Sequence, residues 1–157
     1  MKPFCILLFL FLFFLPEMVT AQPHAAMVKS VSGKVTIQRQ IANQNQYKNQ
    51  SAFQTFPAQV GMLLQSGDVI VTAYKGYAGI MFTDGTVITL GPKTSFGISN
   101  YIFSPETAAY DFLFYLERGE AVYHSGKIGK LSPESVKVST PKATVGIRGT
   151  RFIIKVD

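Results

Sequence analysis

The chain has 157 residues, with 15 Lys and Arg against 9 Asp and Glu, a formal charge of +6, and a single cysteine. That length favours one domain, and the lone Cys5 excludes a disulfide framework or a cysteine-based metal site. No basic run of five or more residues appears, so nucleic acid is not expected as a partner.

The N-terminus reads as a secretory signal peptide over residues 1–21. Lys2 supplies the charged start, Phe4 to Leu15 the apolar run, and Val19-Thr20-Ala21 the small residues before a cleavage between Ala21 and Gln22. The apolar run is too short to span a bilayer, which takes about 20 residues. Cleavage removes Cys5, and no transmembrane helix is expected in the mature chain. The expected location is periplasmic or secreted. An exported domain without disulfides must rest on its hydrophobic core, which is feasible at this size.

Residues 27–157 read as one all-β domain. From Met27 the chain is rich in β-branched residues, with Val35 and Ile37 on one face and Gly33 at a break. Residues 38–54 are full of Gln and Asn and read as a long polar loop. Ser66-Gly67-Asp68 is a turn before a strand over Val69 to Thr72.

Tyr77 to Phe82 and Val87 to Leu90 flank Asp84-Gly85, the strongest turn signal in the chain. A two-residue loop there would pair Phe82 with Val87 and Met81 with Ile88, leaving both faces partly apolar. Strands of that kind suit a sandwich or a stacked solenoid.

Ser95 to Phe103 alternates, with Phe96, Ile98 and Ile102 in step. Ser104-Pro105-Glu106-Thr107 breaks it. Tyr110 to Leu116 is an aromatic strand, Glu117-Arg118-Gly119-Glu120 reads as a turn, and Ala121 to Tyr123 as the returning strand. A basic, glycine-rich loop follows over Ser125 to Pro133. Val136 to Pro141 and Arg151 to Val156 are the last strand signals, with Phe152, Ile154 and Val156 on one face.

Catalytic sets are missing. His24 and His124 lack metal-ligand spacing, so neither a metal nor another cofactor is expected. There is no Gly-x-Ser-x-Gly, and Asp111, Glu117 and Glu120 read as solvated carboxylates rather than an acid–base pair. Ser125-Gly126-Lys127-Ile128-Gly129-Lys130 lacks the full phosphate-loop pattern. No enzymatic activity is expected.

One ordered constellation says more. It runs from Gly33-Lys34-Val35 through Gly67-Asp68-Val69 and Asp84-Gly85-Thr86 to Glu117-Arg118-Gly119. It closes on Thr140-Pro141-Lys142-Ala143-Thr144-Val145-Gly146-Ile147-Arg148-Gly149-Thr150-Arg151-Phe152. This set resembles the FecR domain family over nearly all of the mature chain. The resemblance implies an extracytoplasmic all-β domain, compact and either solenoid-like or a sandwich. Founding members of that family are membrane-spanning regulators. Their cytoplasmic helical segment controls a sigma factor, and their periplasmic domain senses a loaded outer-membrane transporter. Here no such segment precedes the apolar run, so sigma-factor control is not carried over. The closer likeness is to stand-alone exported FecR proteins.

The matching positions Gly67, Asp68, Asp84, Gly85, Gly119, Thr140, Pro141, Arg148, Gly149 and Thr150 read as turn-builders. Tyr74 and Tyr77 are the candidate ligand contacts. The expected role is an exported binding, scaffold or signalling-accessory domain that recognises an envelope protein. The alternative is a module for peptidoglycan or another glycan.

Overall fold

The computed structural model describes residues 24–41 and 52–157. The expected signal sequence and its expected cleavage point between Ala21 and Gln22 lie outside the described residues. Among the described residues, no helix is long and apolar enough to cross a membrane.

The chain is mostly β-strand. In order the strands are β1 (Ala26–Ser32), β2 (Val35–Ile41), β3 (Ala52–Pro57), β4 (Leu63–Leu64), β5 (Val69–Thr72) and β6 (Tyr77–Phe82). They continue as β7 (Val87–Leu90), β8 (Ser95–Ser104), β9 (Ala109–His124), β10 (Val136–Ser139), β11 (Thr144–Gly146) and β12 (Arg151–Val156). A four-residue helical turn, α1 (Ile128–Leu131), lies between β9 and β10.

All strands join in one sheet, which curls into a half-barrel. Along it the order is β3-β2-β5-β8-β9-β7-β6-β1-β4, with β10 and β11 and, separately, β12 attached to β9. The strand β9 is the spine. Its first part pairs with β8 on one side and β10 on the other; its last six residues pair with β7 and β12.

Aromatic side chains fill the concave side. Phe112 and Phe114 from the first part of β9 meet Tyr123 from its last part, at ring-centroid distances of 6.4 and 6.3 Å. Phe82 of β6 packs on Phe112 at 4.5 Å, and Phe152 of β12 stacks on Tyr123 at 4.5 Å. Around them lie fully buried Ile37, Ile70, Ile80, Ile88, Leu90, Ile98 and Leu116. Burying each such side chain stabilises the fold by about 1.5–3 kcal/mol.

Four sequence expectations are corrected here. First, residues 38–54 are not one loop. Gln38 to Ile41 complete β2, Ala52 begins β3, and the two pair with Arg39 opposite Gln54 and Gln40 opposite Phe53. Polar residues are tolerated there because β3 supplies the strand pairing for all four, and β5 that of Gln38 as well. Residues 42–51 of that expected loop lie outside the described residues.

Second, the hairpin at Asp84-Gly85 is one residue out of the expected register. Met81 faces Val87 and Ile80 faces Ile88. The loop is three residues long, with the Gly85 amide bonded to the Phe82 carbonyl and Gly85 at φ 86°. A turn ending in a left-handed glycine is the common solution for that length. Third, Ile102 leaves the core at 42% exposure while Phe96 and Ile98 stay in it. A register shift between Ile98 and Asn100 reverses the faces, so Tyr101 and Phe103 turn inward.

Fourth, Glu117 to Glu120 is not a reversal. The strand β9 continues through it unbroken for 16 residues. A register shift between Ser95 and Phe96 of β8 faces Glu117, and Gly119 adopts φ 90°. The combination bends β9 from one part of the sheet to the other without ending it.

Candidate functional site

Two carboxylates that the sequence singles out are fully buried, and each ties distant segments together. Asp84 lies at the tip of the β6–β7 hairpin. Its Oδ1 accepts from the Thr86 amide at 3.0 Å and the Tyr101 hydroxyl at 3.2 Å. Its Oδ2 accepts from the Thr86 hydroxyl at 2.8 Å and the Ile128 amide at 3.1 Å. The Thr86 hydroxyl in turn accepts from the Gly126 amide at 3.0 Å. The glycine-rich loop after β9 therefore turns its amides to the hairpin tip, Ile128 to the Asp84 carboxylate, Lys127 to the Asp84 carbonyl and Gly126 to the Thr86 hydroxyl. Gly126 is required, because a Cβ there would lie 2.6 Å from Asp84 Oδ2.

Tyr101 completes this knot by accepting the Asp84 amide at 2.9 Å and exchanging a hydrogen bond with the Thr83 hydroxyl at 2.9 Å. Burial, above all, pushes the Tyr101 pKa well above the ordinary tyrosine range. Burial likewise raises that of Tyr123, whose hydroxyl sits beside Thr86 and Ser125 without a well-formed hydrogen bond.

Asp68 lies in the turn before β5. It takes a two-pronged hydrogen bond from Arg39 of β2, Nε to Oδ1 at 2.7 Å and Nη2 to Oδ2 at 2.6 Å. It also accepts the Gln65 amide at 3.0 Å, while Arg39 reaches the Leu63 carbonyl at 3.0 Å. The Asp68 hydrogen bond, the largest cause, raises the Arg39 pKa. Paired forks of this kind are the strong form of ion pair. A third knot joins Thr72, Thr94 and the bend of β9. The Thr94 amide donates to the Thr72 hydroxyl at 2.8 Å, and the Glu120 amide donates to the Thr94 hydroxyl at 3.0 Å.

The sequence singled out Asp68, Asp84 and Gly119 but not their partners Arg39, Thr86, Tyr101 and Thr94. One signal for Arg39 was available: it is the sole charged residue between Lys34 and Lys48. Glu117 pairs with Arg118 at 3.5 Å in an exposed position, and Asp111 accepts from Asn100 at 2.8 Å. Among the described residues, no group of three His, Cys, Asp or Glu side chains could hold a metal ion.

The C-terminal block behaves differently. Thr140 turns the chain, its hydroxyl accepting from the Lys142 and Ala143 amides at 3.3 and 3.2 Å. Beyond it, Pro141, Arg148, Gly149, Thr150 and every residue of β11 are exposed. Val145 of β11 is 53% exposed and Ile153 of β12 61%. Each of these strands has one partner, β10 for β11 and β9 for β12, so each leaves an edge unpaired among the described residues. Beside Arg148 a shallow cleft of about 210 Å³ is lined by Pro133, Glu134, Gly146 and Ile147. The Ser132 hydroxyl and, less strongly, Arg148 hold the Glu134 carboxyl below its usual pKa.

The two candidate contact tyrosines stand at the end carrying the β5–β6 turn. Tyr74 is 68% exposed, with the Lys93 ammonium 4.6 Å from its ring centre, and Tyr77 is also exposed.

An all-β fold tied by buried aspartates at glycine turns, with an exposed Thr-Pro to Arg-Gly-Thr segment, defines a class of β-domain. Residues 68–157, more than half of the chain, match the FecR protein family, and the chain belongs to that family. Membership points to an envelope signalling-related domain. No curated protein and no solved structure matches the chain.

Proposed function

We propose that the chain is a non-enzymatic binding domain of the bacterial envelope, periplasmic or secreted, that recognises a protein partner by strand addition to β11 or β12. The observation that carries this reading is the contrast within the family-matched residues. Asp68, Asp84 and Gly119 serve the interior, whereas Arg148, Gly149 and Thr150 lie exposed between two strands with open edges. An unpaired edge presents a row of backbone donors and acceptors that a partner strand completes. The other edge strands fit less well: β4 has two residues, and β3 ends on Pro57 and precedes the family-matched region.

Affinity capture from envelope extracts tests the proposal, comparing wild type with a Val145→Lys/Ile153→Lys variant. Lysines on an edge oppose strand addition, and both sites are exposed, so the fold should survive. The expected result is a partner retained by wild type and lost from the variant. Equal capture by both would remove the strand-addition reading. Turnover of a glycan or peptide by the purified protein would remove the non-enzymatic one. The glycan alternative draws support from the exposed rings of Tyr74 and Tyr77. Sedimentation with peptidoglycan that Tyr74→Ala/Tyr77→Ala abolishes would favour it.

A further inference from the structure

Three turns meet at the end of the molecule that carries Tyr74: Gly33-Lys34 between β1 and β2, Ala73 to Gly76 between β5 and β6, and Gly91 to Thr94 between β7 and β8. Ala73 holds them together. Its amide donates to the Lys34 carbonyl at 2.9 Å, and its carbonyl accepts from the Lys93 amide at 3.1 Å. Glycines allow this close approach. A Cβ on Gly33 would lie 2.9 Å from the Lys75 carbonyl carbon, and one on Gly76 would lie 2.5 Å from the Lys34 carbonyl oxygen.

Lys34, Lys75 and Lys93 are thereby gathered around Tyr74, and all three are exposed. Among the described residues, the ion pairs are Arg39–Asp68, Arg118–Glu117 and Lys155–Asp157, so none of these three lysines is engaged in one. Lys93 also holds a left-handed backbone at φ 55°, which an L-residue adopts at a cost. That conformation belongs to the turn whose lysine stands over the Tyr74 ring.

We infer that this end of the domain is a docking surface for an anionic phospholipid bilayer. Clustered lysines are drawn to anionic headgroups, and tyrosine rings settle at the headgroup level of a bilayer. A sugar stacked on Tyr74 would have to share its ring with the Lys93 ammonium, whereas a phosphate layer meets ammonium and ring edge together. The inference uses the side chains of three turns and not the strand edges of β11 and β12, so it stands or falls independently of the partner reading.

The test is sedimentation of the exported protein with phosphatidylcholine vesicles, with and without phosphatidylglycerol. The zwitterionic vesicles supply the baseline for any other contact. The expected result is salt-sensitive binding to the anionic vesicles only. Each lysine near the surface contributes about fivefold, so Lys34→Glu/Lys75→Glu/Lys93→Glu should weaken binding by roughly a hundredfold or more. A control with equal charge change, Lys127→Glu/Lys130→Glu/Lys137→Glu, at exposed positions away from these turns, should keep most of it. Lys93→Gly separates binding from folding: it relieves the strained backbone, so the melting temperature should hold or rise while binding drops. Failure of wild type to bind anionic vesicles would overturn the inference. So would equal binding by the Lys34/Lys75/Lys93 variant, equal loss in the charge control, or sedimentation with peptidoglycan but not with vesicles.

Discussion

At the residue scale, the partly buried Tyr101 and the fully buried Tyr123 should differ in their response to loss of the hydroxyl. Tyr101 donates to Asp84 and accepts from its amide, whereas the Tyr123 hydroxyl is buried without a well-formed bond. Removing a made hydrogen bond to a charged group costs about 1.5–3 kcal/mol, and removing an unmade one costs little. Urea unfolding should therefore show Tyr101→Phe destabilised by about 2 kcal/mol and Tyr123→Phe within about 0.5 kcal/mol of wild type.

Alkaline pH adds a second reading of the same pair. Burial raises the folded-state pKa of both phenols. Their contribution is fully present below the unfolded value of about 10 and is lost as pH rises above it, because the unfolded chain releases those protons first. Between about pH 9 and about pH 11, Tyr101→Phe should lose less stability than wild type, measured by urea midpoints at each pH. An unchanged slope would show that Tyr101 titrates as an exposed phenol.

At the element scale, the bend of β9 is the feature on which the sheet depends. Glycine is needed at 119 for two reasons: φ is 90°, and a Cβ would lie 2.5 Å from the Thr94 α-carbon. Gly85 shares the positive φ of 86°, but a Cβ there would meet open space. Gly85→Ala should cost about 1 kcal/mol, the backbone penalty alone. Gly119→Ala should cost about 3 kcal/mol or more, since packing overlap adds to strain. Denaturant midpoints check the ranking, and equal losses would refute the packing argument.

The same bend shows why part of the fold was legible in the sequence and part was not. Glycine with flanking charges reads as a turn, yet only the neighbouring strands decide whether the chain reverses or bends through. The faces of β8 were misread past Ile98 because a bulge shifts the alternation by one residue, and local sequence carries no mark of it. Strand positions of β5, β7 and β12 were legible because each alternates between a more and a less buried face, and that of β6 because an apolar run ends on a turn signal. Gln38 to Ile41 was hidden because its strand state comes from pairing with β3 and from the reach of Arg39 to Asp68. At the candidate site, Asp68 and Asp84 announced themselves by turn chemistry, while Thr86, Tyr101 and Thr94 are partners that only the tertiary fold supplies.

At the scale of the whole molecule, the family-matched residues divide into two groups. Those around Asp68, Asp84 and Gly119 lock the curled sheet, and those from Pro141 to Thr150 lie on its surface between open edges. The lysine and tyrosine cluster at the β5–β6 end gives a second surface of different chemistry. A domain with a basic, membrane-facing end and a free strand edge would hold a partner strand near a bilayer, which suits an envelope role. The account predicts that substitutions in the first group lower stability, and that those in the second change binding with little effect on stability.

The most direct test of the strand-addition proposal is amide hydrogen exchange on the protein alone and with the partner retained by affinity capture. Backbone pairing at an edge should slow exchange in β11 or β12, within residues 144–156, and leave the β5–β6 turn unchanged. Protection confined to Tyr74 to Tyr77, or no added protection in residues 144–156, would contradict it.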